Sequence, residues 1–179
     1  MKQNGFILIA SLFLLAIMTM IGISMFGGFS TDERMSGNFR EKSRAREVAQ
    51  TALNSAANWM SIAGNTYNGN WVAGATCTAI SNTGIVCSNA LATPATPSSW
   101  TSYVTYDPFA PLSVKVNPLG GKGSYAAIPN YYIQYLGQNS ASSAMYLTTA
   151  SAVGGNAAST SVLQAVYLVT VKSIDIGGS

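Results

Sequence analysis

The chain has 179 residues, a net charge of +3 and no histidine, and only 8% of it is charged, against about 25% in an ordinary soluble domain. That length allows one modest globular domain. The charge is too small and too scattered for a nucleic-acid footprint, and without histidine the commonest general base is missing and a metal-ligand set cannot be completed around two cysteines.

Only five residues precede a run from Phe6 to Phe26 that contains no charge. At about 1.5 Å of rise per residue, about 21 helical residues reach roughly 31 Å, enough to cross a hydrocarbon core of about 30 Å. A cleaved secretory signal is the alternative reading. It calls for a basic leader, a shorter apolar core and a small-residue cleavage site, and here Gly22, Ser24, Gly27 and Gly28 are the only small residues near the end of the run. Residues 6–28 are therefore expected to span a membrane.

Gly27 and Gly28 weaken a helix by about 1 kcal/mol each relative to alanine. Ser30 stands three residues before Glu33, the spacing of a capping box, so the helix is expected to loosen and restart there. Over residues 29–63 the apolar positions Met35, Phe39, Ala45, Val48, Ala49, Ala52, Leu53, Ala56, Trp59, Met60 and Ala63 recur at threes and fours. That stripe predicts an amphipathic continuation packed on a sheet. Asp32, Glu33, Arg34, Arg40, Glu41, Lys42, Arg44, Arg46 and Glu47 gather the charge into one short stretch, read as a solvated or subunit-facing surface.

Residues 64–70 end the helix in turn chemistry, and a long loop region follows to about Pro97. It holds Cys77 and Cys87, which would pair in an oxidising compartment; the alternative is two separate thiols, and the membrane segment and uncharged head favour the disulfide. Strands are expected over 100–106, at Leu112, Val114 and Val116, over 131–136 and over 162–171. In the last, Leu163, Ala165, Tyr167, Val169 and Val171 share the face that should meet the helix. A long helix followed by about four antiparallel strands is an α+β arrangement, with residues 64–179 as the head.

Gly5-Phe6-Ile7-Leu8-Ile9 resembles the start of the type IV pilins and pseudopilins, whose precursors carry a short leader ending in glycine before an apolar helix that begins with phenylalanine. Glu33-Arg34-Met35-Ser36-Gly37-Asn38, followed by Ala49 and Ala52, is similar to the minor-pilin branch called PilX, and so are the stretches 129–137 and 161–167. The likeness covers roughly residues 6–63 and 129–167 and leaves the cysteine region aside.

The resemblance implies a leader of residues 1–5, cleavage between Gly5 and Phe6 by a prepilin peptidase, and methylation of the new terminus at Phe6. It also implies a structural role with no cofactor. The expected partners are the major pilin, other minor pilins and the inner-membrane assembly machinery. Major pilins carry a glutamate five residues into the mature chain, where this chain has Ala10; an unpaired carboxylate in an apolar filament core costs several kcal/mol, which suits a subunit with no neighbour ahead of it at the tip. Ala10 is otherwise merely tolerated in a rare subunit. The proline of major pilins falls at Gly27. Ala10, Gly22, Gly27 and Gly37 would pack against neighbouring helices, with charge pairing around residues 32–47; Gly37 reads equally as a simple kink.

The basic residues Arg34, Arg40, Lys42 and Arg44 follow the span, so the positive-inside rule would keep the head in the cytoplasm. The cysteine pair and the Ser/Thr-rich head favour a periplasmic head instead, and later a place in a pilus on the cell surface. The other readings are a type II secretion pseudopilin, which shares the start and the α+β plan, and a membrane-tethered module that binds a surface.

Overall fold

The structure is a computed structural model. Its described residues are 4–106, 114–119 and 123–171, with the side chains of residues 4 and 26–30 not among them. The expectations for Leu112, for the turn glycines at 120–121 and for the capping side chain of Ser30 lie outside the described residues.

Helix α1 runs without interruption over Asn4–Ser61. Its backbone stays helical through residues 27–30, so the expected loosening is not a break in the helix. Two compact units divide it, Met1–Arg40 and Glu41–Ser179. In the second unit Ala45, Val48, Ala49, Ala52, Leu53, Ala56 and Met60 are buried, the three-and-four spacing of one helix face. Met35 and Phe39, by contrast, are 70% and 78% exposed, so the sheet-packing stripe starts at Ala45 and not at Met35. Ala63 lies beyond the end of the helix and is exposed.

Among the described residues the head holds five strands: β1 (Val86–Cys87), β2 (Val104–Thr105), β3 (Asn130–Ser140), β4 (Ser143–Val153) and β5 (Thr160–Thr170). Their main order is β1-β3-β4-β5, with β2 also on β3. β3, β4 and β5 form an antiparallel meander; Tyr146 of β4 lies between Tyr135 and Tyr167, and Ala150 between Tyr131 and Leu163. β2 joins antiparallel, but β1 pairs parallel to β3, so the sheet is mixed. The result is the expected α+β plan, a long helix packed on a small sheet.

Two strand expectations change in detail. The strand expected over 100–106 shrinks to Val104–Thr105, because Trp100 ends a short 3-10 turn at Pro97–Ser99 and buries its ring with the indole N–H donating to the Thr93 carbonyl. Val114 and Val116 form no strand; Val116 makes one bridge to Tyr125. β4 was not expected from the sequence at all. It is nonetheless the middle of the meander, buried along most of its length.

The core lies between α1 and one sheet face. Leu53, Ala56, Met60, Val86, Val104, Tyr131, Ile133, Tyr146 and Ala150 form it, with Leu163, Ala165, Tyr167 and Val169 packed against it. The face read from the alternation in β5 is thus the face that meets the helix. Small residues on the helix allow this approach: alanines at 45, 49, 52 and 56 bring the backbone close to the large aromatics of β3 and β4.

Candidate functional site

The first unit is described by itself. Gly5–Met25 is a 21-residue apolar helix, none of it buried by the rest of the chain. Phe6, Ile7, Leu8, Ile9, Leu12 and Phe13 head a series of large exposed hydrophobics that continues to Met25. Two of the three hydroxyls within it are turned back onto their own helix: Ser11 Oγ donates to the Leu8 carbonyl at 2.9 Å and Thr19 Oγ1 to the Ala16 carbonyl at 2.8 Å. Such back-bonding gives both of these hydroxyls a partner in an apolar surrounding, as a lipid-exposed helix requires.

Ala10 sits in this exposed series, and Glu33, Arg34, Met35, Gly37 and Asn38 are exposed further along the same helix. A Cβ built on Gly5, Gly22 or Gly37 would meet nothing within 4 Å. Nothing inside the chain therefore requires glycine at these places. Gly27 lies within the helical backbone.

The second unit contains a cluster that sequence reasoning misplaced. Glu41 and Arg44 are neither a solvated nor an outward-facing pair but a half-buried latch within the head. Arg44 Nη1 lies 3.0 Å from Glu41 Oε1, Arg44 Nη2 donates to the Ser124 carbonyl at 2.7 Å, and the guanidinium stands 4.8 Å from the centroid of the Tyr125 ring. Burial works against the guanidinium's charge, but Glu41 and then Tyr125 outweigh it and hold the Arg44 pKa above its ordinary value. Glu41 Oε2 in turn accepts the Gly155 N–H. Next to it Lys42 Nζ donates to the Thr160 carbonyl at 2.9 Å.

The reason for this approach is steric. A Cβ on Gly154 would lie 2.6 Å from the Glu41 carbonyl oxygen, and one on Gly155 2.6 Å from the Glu41 carboxylate. Gly154 is needed for the β4–β5 connection to reach the helix backbone, whereas at Gly155 only the ends of the Glu41 and Arg44 side chains would have to move. The glycine pair and the i, i+3 spacing of Glu41 and Arg44 were the only signals in the sequence; neither says that the two segments meet. Arg34, Arg40, Arg46 and Glu47 remain on the exposed side.

The disulfide Cys77–Cys87 is formed, with the two Cα atoms 5.4 Å apart. It ties the loop to strand β1, beside which Ala75 makes a parallel bridge to Cys87. Asn89 holds the same loop from the other side: its Oδ1 accepts the Cys77 N–H at 2.8 Å and its Nδ2 donates to the Cys77 carbonyl at 3.3 Å. Tyr132 Oη, from β3, donates to the Asn89 carbonyl at 2.9 Å. Gly74 makes the close approach possible, with φ of +71° and no room for a Cβ, which would lie 1.9 Å from the Val86 oxygen.

Residues 4–54 match the family model described as PilX N-terminal. Over that segment the chain is similar to the PilX branch, as the residues around Gly5, Phe6 and 33–38 implied. The exposed apolar helix and this likeness fit anchoring in an inner membrane and assembly with pilus components. No curated protein and no solved structure matches the chain.

Proposed function

We propose that this chain is a minor pilin of a type IV pilus, inserted in the inner membrane as a precursor with its head in the periplasm, and then drawn into a filament whose assembly it primes. It stands at or near the tip and catalyses nothing. The observation that carries this reading is the PilX-like segment 4–54, within which Gly5–Met25 leaves its whole apolar surface uncovered by the chain itself.

A helix of that kind exchanges lipid for the apolar flanks of neighbouring helices. The exchange gains little hydrophobic free energy, so close packing and polar pairing select the neighbours. Ala10, Gly22, Gly27 and Gly37 supply the small contacts, and Glu33, Arg34, Met35 and Asn38 the flanking ones. Ala10 removes a carboxylate that would have no partner in a subunit without a neighbour ahead. A prepilin peptidase cuts between Gly5 and Phe6, and the major pilin, other minor pilins and the inner-membrane assembly machinery are its further partners.

Mass spectrometry of the amino terminus tests the reading in cells with an active prepilin peptidase. The expected mature chain begins at methylated Phe6 and is recovered in sheared filaments, and its deletion lowers pilus number. An intact Met1 terminus, or cleavage beyond Gly28, would sink the pilin assignment.

A further inference from the structure

The two edges of the sheet are treated differently. On the β1 side the disulfide loop bridges to Cys87 and β2 lies along β3. On the other side, among the described residues, no strand pairs with the outer edge of β5, which is 11 residues long. Its hydrogen-bonding phase follows from two contacts. The Val171 N–H donates to the Ser142 carbonyl, so the odd-numbered residues of this strand turn their backbone groups toward β4. The Thr160 carbonyl is met from outside by Lys42, so the even-numbered residues turn theirs to the open side. Lys42 thus closes the start of the edge, and the N–H and C=O groups of Val162, Gln164, Val166, Leu168 and Thr170 face outward.

Natural edges are blunted by charge, proline or shortness. Thr160–Thr170 has none of these. Its outer face exposes Val166 and Leu168, at 59% and 56%. Its inner face borders a groove of about 490 Å³ lined by Ala57, Met60 and Ile62 from the end of α1 and the turn after it, and by Tyr67, Tyr167 and Val169. Among the described residues no acidic or basic side chain lines it.

From this edge and groove we propose that β5 is a docking strand, to which another protein chain adds an extended, uncharged segment, antiparallel, with apolar side chains at alternate positions entering the groove. Main-chain bonds to the five even-numbered residues supply affinity, and the groove beside Tyr167 and Val169 supplies selectivity. The lack of charge on strand and groove matches an uncharged partner and repels none. A second copy pairing through the same edge is the competing occupant, and the concentration arm of the test below decides against or for it. The inference does not rest on the pilin reading.

The test uses the full chain in detergent micelles and, as probe, an uncharged ten-residue peptide in which valine alternates with threonine. Amide hydrogen exchange is read residue by residue. The peptide is expected to slow exchange about tenfold or more at Val162, Gln164, Val166, Leu168 and Thr170, while the odd-numbered amides, already bonded to β4, do not change. Val166→Pro deletes only an outward donor, which an edge strand tolerates; it should abolish the protection and leave the melting temperature of the chain unchanged. Tyr167→Pro, which deletes a donor to β4, should lower that temperature. Absence of protection, protection that survives Val166→Pro, or protection that rises with chain concentration without peptide would each overturn the proposal, the last in favour of self-pairing.

Discussion

Gly154 shows how much a single hydrogen in place of a methyl group decides. Adding a Cβ there would drive the β4–β5 connection away from the Glu41 carbonyl and pull the Arg44 guanidinium off Ser124 and Tyr125. Gly154→Ala is expected to lower stability by about 1–3 kcal/mol, the usual range for overpacking, measured by urea denaturation. Gly37→Ala should do the opposite. It meets open space in a helix, so the chain gains up to about 1 kcal/mol of helix propensity, and any loss of assembly in that variant would come from contacts between chains.

Tyr146 gives a pH dependence. Burial, and then the neighbouring Tyr135, push its pKa up to about 12, and its hydroxyl lies 3.1 Å from the carbonyls of both Thr66 and Val72. A phenol whose folded pKa is raised prefers the neutral form in the fold. Its contribution is therefore complete below its ordinary pKa of about 10 and is lost as pH rises from there through about 12. Melting temperature measured across that window should fall, and the part of the fall due to this group should vanish in Tyr146→Phe.

Among the elements, the disulfide loop is the one that covalent chemistry holds. Replacing Cys77 and Cys87 by serine should cost about 2.7 kcal/mol on the chain-entropy model for a loop of about ten residues. The loss should appear as faster amide exchange between residues 71 and 89, while α1 stays protected. Asn89 retains part of the loop in that variant, because its amide bonds to Cys77 do not depend on sulfur.

The elements also differ in how plainly the sequence announced them. α1 was legible because an uncharged run and then a three-and-four stripe leave no other period. β5 was legible because leucine, tyrosine and valine alternate with other residues as in a half-buried strand, and β3 because aromatic and aliphatic residues cluster between Pro129 and Gly137. β4 hid for the opposite reason. It is covered on both faces, so Ala144, Thr148, Thr149, Ala150, Ser151 and Ala152 are all buried and no polar side marks a period. β1 and β2 are two residues each and exist by pairing with β3, which no local pattern encodes. The latch at Glu41 and Arg44 was missed likewise, since charge on a helix face reads as solvated until a distant glycine pair is known to press on it.

At the scale of the whole molecule the sharpest prediction concerns Ala10. In a tip subunit, Ala10→Glu buries a carboxylate with nothing to pair, at about 2.5–3.5 kcal/mol at mid-membrane, and should hinder assembly. In a subunit inserted along the shaft the same change would supply a missing contact and raise incorporation. Subunit abundance in sheared filaments, together with pilus number per cell, separates the two: higher incorporation at unchanged pilus number refutes the tip position and leaves the pilin reading in place.

The back-turned hydroxyls of Ser11 and Thr19 leave open the direction in which such a helix can travel. Because each is bonded to its own helix, neither bond has to break when lipid is exchanged for protein, and neither when protein is exchanged for lipid. At these two residues the passage carries no polar toll either way. If the chain acts as the proposed pilin, these residues would let it be withdrawn from a bilayer and handed back with equal ease, and the sense of travel would have to be imposed from outside the helix.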